Sequence, residues 1–219
     1  MQRAPLSKED ILLGMRRLDE LASTAYKRVE LSVYGGAAIV LCFNGVRQST
    51  YDVDVVIRDG CDFVRQVAKK IADENAWPEN WLNDAVKGFV AHTEDLRPLS
   101  AWGDKEIGLV VQVAAPEYLL AMKCMSMRLD ADSHDIEDIQ TLLHVCGLSK
   151  LDDVLDLVEK FYPARQSSPK VSLGVRSLKS SVVQTRVCPS RMPSWKNNCQ
   201  KTVKNPPLNA FGVEAGACG

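Results

Sequence analysis

Residues 34–57 read YGGAAIVLCFNGVRQSTYDVDVVI, and the order of parts in this stretch decides the fold. Leu31 and Val33, just ahead of it, suit a short buried strand. Gly35-Gly36 then supplies the backbone freedom for a sharp turn into the apolar helical run that follows. After a basic and polar link, Asp52-Val53-Asp54 stands inside a β-branched run, and residues 51–57 are expected to form a second strand. Strand, turn, helix and strand in so short a span predict an α/β (α+β) domain with a small mixed sheet and flanking helices.

The same parts carry chemistry. A Gly pair at a strand-to-helix junction leaves backbone N–H groups unshielded at a helix N-terminus, where an anion such as a phosphate is stabilised. Residues two apart on a strand share a face, so Asp52 and Asp54 point one way while Val53 and Val55 point into the opposite, buried face. Two adjacent carboxylates repel unless a cation lies between them, and a hard divalent ion such as Mg²⁺, or Mn²⁺, suits oxygen ligands together with phosphates. Arg47 offers a bidentate phosphate contact, and Ser49 and Thr50 offer hydroxyl donors. Gly35, Gly36, Arg47, Ser49 and Thr50 are therefore candidate nucleotide-binding residues, and Asp52 and Asp54 are candidate metal ligands. A polar hairpin with a solvated Asp pair is the alternative for either half alone; the two halves in this order favour a triphosphate cradle.

Outward from the core, Ser7 and Asp10 have the spacing of a helix cap, and Ile11, Leu12, Met15, Leu18, Leu21 and Ala22 recur at helical intervals. Residues 62–75 place Phe63, Val67, Ala68 and Ile71 on one face of a second amphipathic helix. Trp77 and Trp81 flank a proline, and they either stack on a base or sugar or form a packing cluster. Residues 109–113 read as a buried strand, and Pro116 suits the first turn of the helix 116–129. Within that apolar helix Lys123 either snorkels to solvent or has a partner. Ser133 is expected to cap a helix over 133–145, with Asp135 in its first turn, where the helix dipole alone favours a carboxylate. Gly147 ends that helix, and residues 151–161 form a last one.

The chain of 219 residues has 46% hydrophobic and 25% charged residues, the composition of a soluble globular protein. No stretch approaches eighteen consecutive apolar residues, and residues 1–13 lack the apolar centre of a signal peptide. A cytoplasmic location without membrane association is expected. The seven cysteines are widely spaced with no C-x-x-C, so neither a disulfide framework nor a zinc site is expected. Charge is uneven: residues 164–219 carry nine basic residues and Glu214, which leaves 18 basic and 27 acidic residues in 1–163. The chain divides into a core at 1–115, a helical part at 116–163 that closes a cleft, and a basic tail at 164–219. Low complexity predicts little order in that tail.

The block running from Gly35-Gly36 to Asp52-x-Asp54 resembles that of the nucleotidyltransferase superfamily of the DNA polymerase β type. The fuller pattern GGxAxxxxxGxRxSTxDxD is similar to that of the AbiEii-type abortive-infection toxins and their uncharacterised relatives. The resemblance implies transfer of a nucleoside monophosphate from an NTP to an acceptor hydroxyl, with RNA as acceptor and a cognate antitoxin as partner in a toxin–antitoxin or phage-defence setting. It further implies active-site roles for Lys123 and Asp135, supported by Arg128 and Asp138. In polymerase-β-type enzymes a third carboxylate lies on the strand that corresponds to 109–113, and the matching position here is Gln112, whose amide cannot act as a base. Two alternatives stay open. Aminoglycoside nucleotidyltransferases carry a similar block, and an acidic body suits a small polycationic acceptor. A non-catalytic nucleotide-binding or antitoxin-like module is favoured by Gln112 and opposed by the intact Asp52 and Asp54.

Overall fold

Ser7 opens the first helix as its spacing to Asp10 predicts. The Ser7 hydroxyl accepts the Asp10 N–H at 3.2 Å while the Asp10 carboxylate accepts the Ser7 N–H at 2.8 Å, a reciprocal capping box. The computed structural model describes residues 4–43, 47–127 and 134–163. Arg128, Ser133 and the tail 164–219 lie outside the described residues.

A two-residue strand β1 (Leu6–Ser7) leads into α1 (Lys8–Thr24), β2 (Arg28–Val33) and α2 (Gly35–Cys42). Next come β3 (Ser49–Thr50), β4 (Val53–Asp59), α3 (Cys61–Asn75) and β5 (Leu82–Asn83). The chain continues through β6 (Leu96–Pro98), β7 (Gly108–Ala114), α4 (Pro116–Ser126), α5 (Asp135–Cys146) and α6 (Leu151–Phe161). Five strands form one mixed sheet in the order β5-β4-β2-β7-β6, and β1 pairs with β3 in a separate small sheet. In the large sheet β2 runs antiparallel to β4 and parallel to β7.

Alternation along the strands separates packing from chemistry. Val29, Leu31 and Val33 of β2, Leu109, Val111 and Val113 of β7, and Val53 and Val55 of β4 are all completely buried. α1 packs against β2 and β7, and α3 against α1 and β4. Each such aliphatic side chain taken out of water stabilises the fold by about 1.5–3 kcal/mol before chain entropy is counted. The opposite face carries Ser32, Asp54, Arg58 and Gln112, because Ser32 stands opposite both Val56 and Gln112.

Some boundaries differ from the sequence expectation. β4 starts at Val53, so Asp52 sits just ahead of the strand. In α3 it is Val64 that is completely buried, while Phe63 is half-exposed with the Lys27 ammonium 5.1 Å from its ring centroid. Trp81 is packed: its ring is buried, its Nε1–H donates to the Ala68 carbonyl at 2.9 Å, and Trp77 meets it edge-on at 5.2 Å. A methyl group on Gly14 of α1 would fall 2.5 Å from the Trp81 ring, so the helix must be bare there. Of the cysteines, Cys42 and Cys124 are buried thiols and Cys146 is half-buried. Burial pushes the Cys124 thiol up to about 12, which keeps it protonated. Among the described residues no helix is long and apolar enough to cross a membrane.

Candidate active site

The turn at Gly35-Gly36 and the Asp52–Asp54 segment are locked together by the backbone. Tyr34 N–H donates to the Asp54 carbonyl at 2.9 Å, and Val53 N–H donates to the Trp81 carbonyl at 2.6 Å. The two glycines are required for different reasons. Gly35 has φ +60°, and a Cβ there would strike the Asp54 carboxylate oxygen Oδ2. Gly36 would place a Cβ 2.7 Å from Arg47 Cζ and 2.8 Å from Thr50 Oγ1. The first glycine therefore lets a carboxylate lie against the helix N-terminus, and the second lets a guanidinium do so. Gly35→Ala is expected to cost about 1–2 kcal/mol in urea unfolding from the left-handed backbone alone. By displacing Asp54 it should also slow any reaction at this site by about a hundredfold.

A cleft of about 710 Å³ opens at this turn. Gly35, Asp52 and Asp54 lie on one side of it, and Lys123 and Asp135 line it from α4 and α5. The remaining wall includes Asn80, Asn83 and Phe89 from the segment after α3 and Met122 and Met125 from α4. Residues 88 positions apart in the chain thus share one cavity. Asp52 and Asp54 are half-buried, and Asn83 Nδ2 donates to Asp52 Oδ2 at 3.1 Å.

Lys123 has partners rather than open solvent. Its ammonium lies 2.7 Å from Asp135 Oδ1 and 2.7 Å from Asp138 Oδ2, with the lysine side chain 13% exposed and the carboxylates 9% and 4%. Asp138 also accepts Arg47 Nη1–H at 2.6 Å, and Arg47 Nε–H donates to the Ser49 carbonyl at 2.9 Å. Two cations and two anions form a cluster that ties the first turn of α5 to α4 and to the link before β3. Gly36, Arg47, Ser49 and Thr50 do not line the cleft; Arg47 lies over Gly36 and Thr50 is buried beside it. Of the expected phosphate cradle, Gly35 is the member at the cleft surface. The Arg47 guanidinium is instead paired with Asp138.

The family described as "Nucleotidyltransferase of unknown function (DUF6036)" matches residues 14–176, which contain every residue of this site. The chain belongs to that family. No curated protein and no solved structure matches it.

In this nucleotidyltransferase the strand position expected to carry a third carboxylate holds Gln112, and its surroundings are distinct from the cleft. Gln112 is on the same face of the sheet as Asp54 but pairs with Ser32, one residue further down β2 than Val33, which faces Val55. Its Nε2–H points to Glu30 Oε1 at 3.3 Å, and Gln112 does not line the cleft. The nearby polar group on that face is another set: Arg58 Nη2–H donates to the Tyr34 hydroxyl at 2.7 Å and to Glu94 at 2.6 Å, and Tyr34 donates to Glu94. Burial together with the Glu94 carboxylate raises the Tyr34 phenol above its ordinary value, so it remains a donor. Sequence reasoning missed Glu94 and Arg58, and also Asn80, Asn83 and Phe89; none of these has a spacing that marks it as part of a site.

Proposed function

We propose that this nucleotidyltransferase moves a nucleoside monophosphate from an NTP to an acceptor hydroxyl, with RNA as acceptor in a toxin–antitoxin or phage-defence setting. The supporting observation is that Gly35, Asp52, Asp54, Lys123 and Asp135 line one cleft large enough for a single nucleotide. The donor set fits Mg²⁺ or Mn²⁺: Asp52 and Asp54 offer hard carboxylate oxygens, and Mg²⁺ characteristically takes one or two carboxylates and fills its other positions with water and substrate phosphates. When bound there, the divalent ion supplies charge stabilisation at the transferring phosphate.

The residues of the chain have separable tasks in this reading. The Gly35 N–H, at the start of α2, donates to a phosphate oxygen. Lys123 uses two of its three N–H groups on Asp135 and Asp138 and keeps a third for charge that grows on the phosphates. Asp135, which lines the same cleft from α5, accepts the proton of the acceptor hydroxyl, the task that Gln112 cannot perform. The acceptor's oxygen forms a bond to the α-phosphorus and the bond to pyrophosphate breaks. The likeness of the Gly35-to-Asp54 block to AbiEii-type toxins supports RNA and a cognate antitoxin as partners.

The experiment is incubation of the full chain with Mg²⁺ and each labelled NTP in turn, with total RNA in one arm and an aminoglycoside in another. Label on RNA bears the reading out. Label on the aminoglycoside alone replaces RNA with a small polycationic acceptor, and metal-dependent NTP binding with no transfer to either leaves a binding module.

A further inference from the structure

Part of the cleft lining has a composition that the phosphate chemistry does not use. Phe89 is 43% exposed, yet it lines the same cavity as Asp52 and Asp54, together with Met122, Met125 and the amide of Asn80. Phe89 ends a short 3-10 turn over Ala85–Phe89, and the backbone that carries its ring is anchored. The Phe89 carbonyl accepts the Tyr162 hydroxyl at 2.7 Å, and two residues on, Ala91 N–H donates to the Tyr118 hydroxyl at 2.9 Å. Tyr118 in turn packs on Phe161 with ring centroids 4.9 Å apart. Tyr118 of α4 and Tyr162 after α6 therefore anchor the backbone that presents Phe89 to the cleft, which lowers the ordering cost of stacking on its ring.

We infer that this wall is the subsite for the base of the donor nucleotide, with Phe89 as the stacking face and Asn80 reading the base edge. The inference rests on the donor being an NTP, and it assigns the two ends of the cleft: phosphates to Gly35 and the Asp pair, base to Phe89. A planar heteroaromatic ring suits a flat apolar face with one amide at its rim, since an amide both donates and accepts.

The test is calorimetric titration of the full chain, with Mg²⁺, against the four common NTPs and against inorganic tripolyphosphate. Phe89→Ala is expected to weaken binding of the preferred NTP on the order of tenfold and to leave tripolyphosphate binding unchanged, while Phe89→Trp retains the wild-type affinity. Asn80→Ala is expected to narrow the spread among the four NTPs. Unchanged NTP affinity in Phe89→Ala, or equal loss of NTP and tripolyphosphate, overturns the base subsite while the phosphate end stands. Wild-type protein that binds neither NTP nor tripolyphosphate overturns the donor reading, and the subsite falls with it.

Discussion

The double variant Asp52→Ala/Asp54→Ala is expected to lose nucleotidyl transfer by about a thousandfold or more while unfolding at an unchanged or higher urea concentration. The two carboxylates stand half-buried at the end of one strand, with Asp54 packed over Gly35 and Asp52 held by Asn83. Like charges so placed repel in the free protein, and their removal relieves that repulsion. Function and stability therefore move in opposite directions, which is the pattern of a residue pair placed for chemistry rather than for folding. Each single variant should lose most of what the double variant loses, because two ligands of one ion act as a unit. Transfer within tenfold of wild type in the double variant would remove these carboxylates from the reaction. Parallel urea curves guard against a trivial loss of structure.

Lys123→Ala is expected to have the largest effect on stability, about 3–5 kcal/mol in urea unfolding. The lysine carries charge into an apolar helix whose buried residues include Leu119, Leu120, Met122 and Cys124. Its removal takes from Asp135 and Asp138, both nearly buried, the ammonium that lies 2.7 Å from each, while Arg47 stays paired with Asp138. Removing one partner of a buried ion pair is a far greater penalty than the intact pair is a gain. Lys123→Arg keeps the charge but not the compact ammonium, so partial recovery of stability is expected, with transfer still impaired. A Lys123→Ala protein as stable as wild type would show that the cluster is solvated and that Lys123 has no structural role. The expected contrast is that removing the Asp pair leaves the fold at least as stable, whereas removing Lys123 loosens the contact between α4 and α5.

The sequence by itself determined the strand–turn–helix–strand core, the Ser7–Asp10 cap, the burial of Val53 and Val55 opposite the Asp pair and the end of α5 at Gly147. These depend on contacts between residues a few positions apart, and period, cap and glycine chemistry record such contacts directly in the chain. The sequence also named Asp52, Asp54, Lys123 and Asp135, the last two through a family resemblance and not through spacing. Only the tertiary structure decided that all four line one cleft with Gly35, that Arg47 turns to Asp138 and away from the cleft, and that Gln112 faces Glu30. It alone brought Phe89 and Asn80 to the same cleft and anchored the backbone at Phe89 and Ala91 through Tyr162 and Tyr118. The physical reason is that a charged or aromatic side chain takes whichever partner folding brings near, and partners 91 residues apart, as Arg47 and Asp138 are, leave no mark in local periodicity.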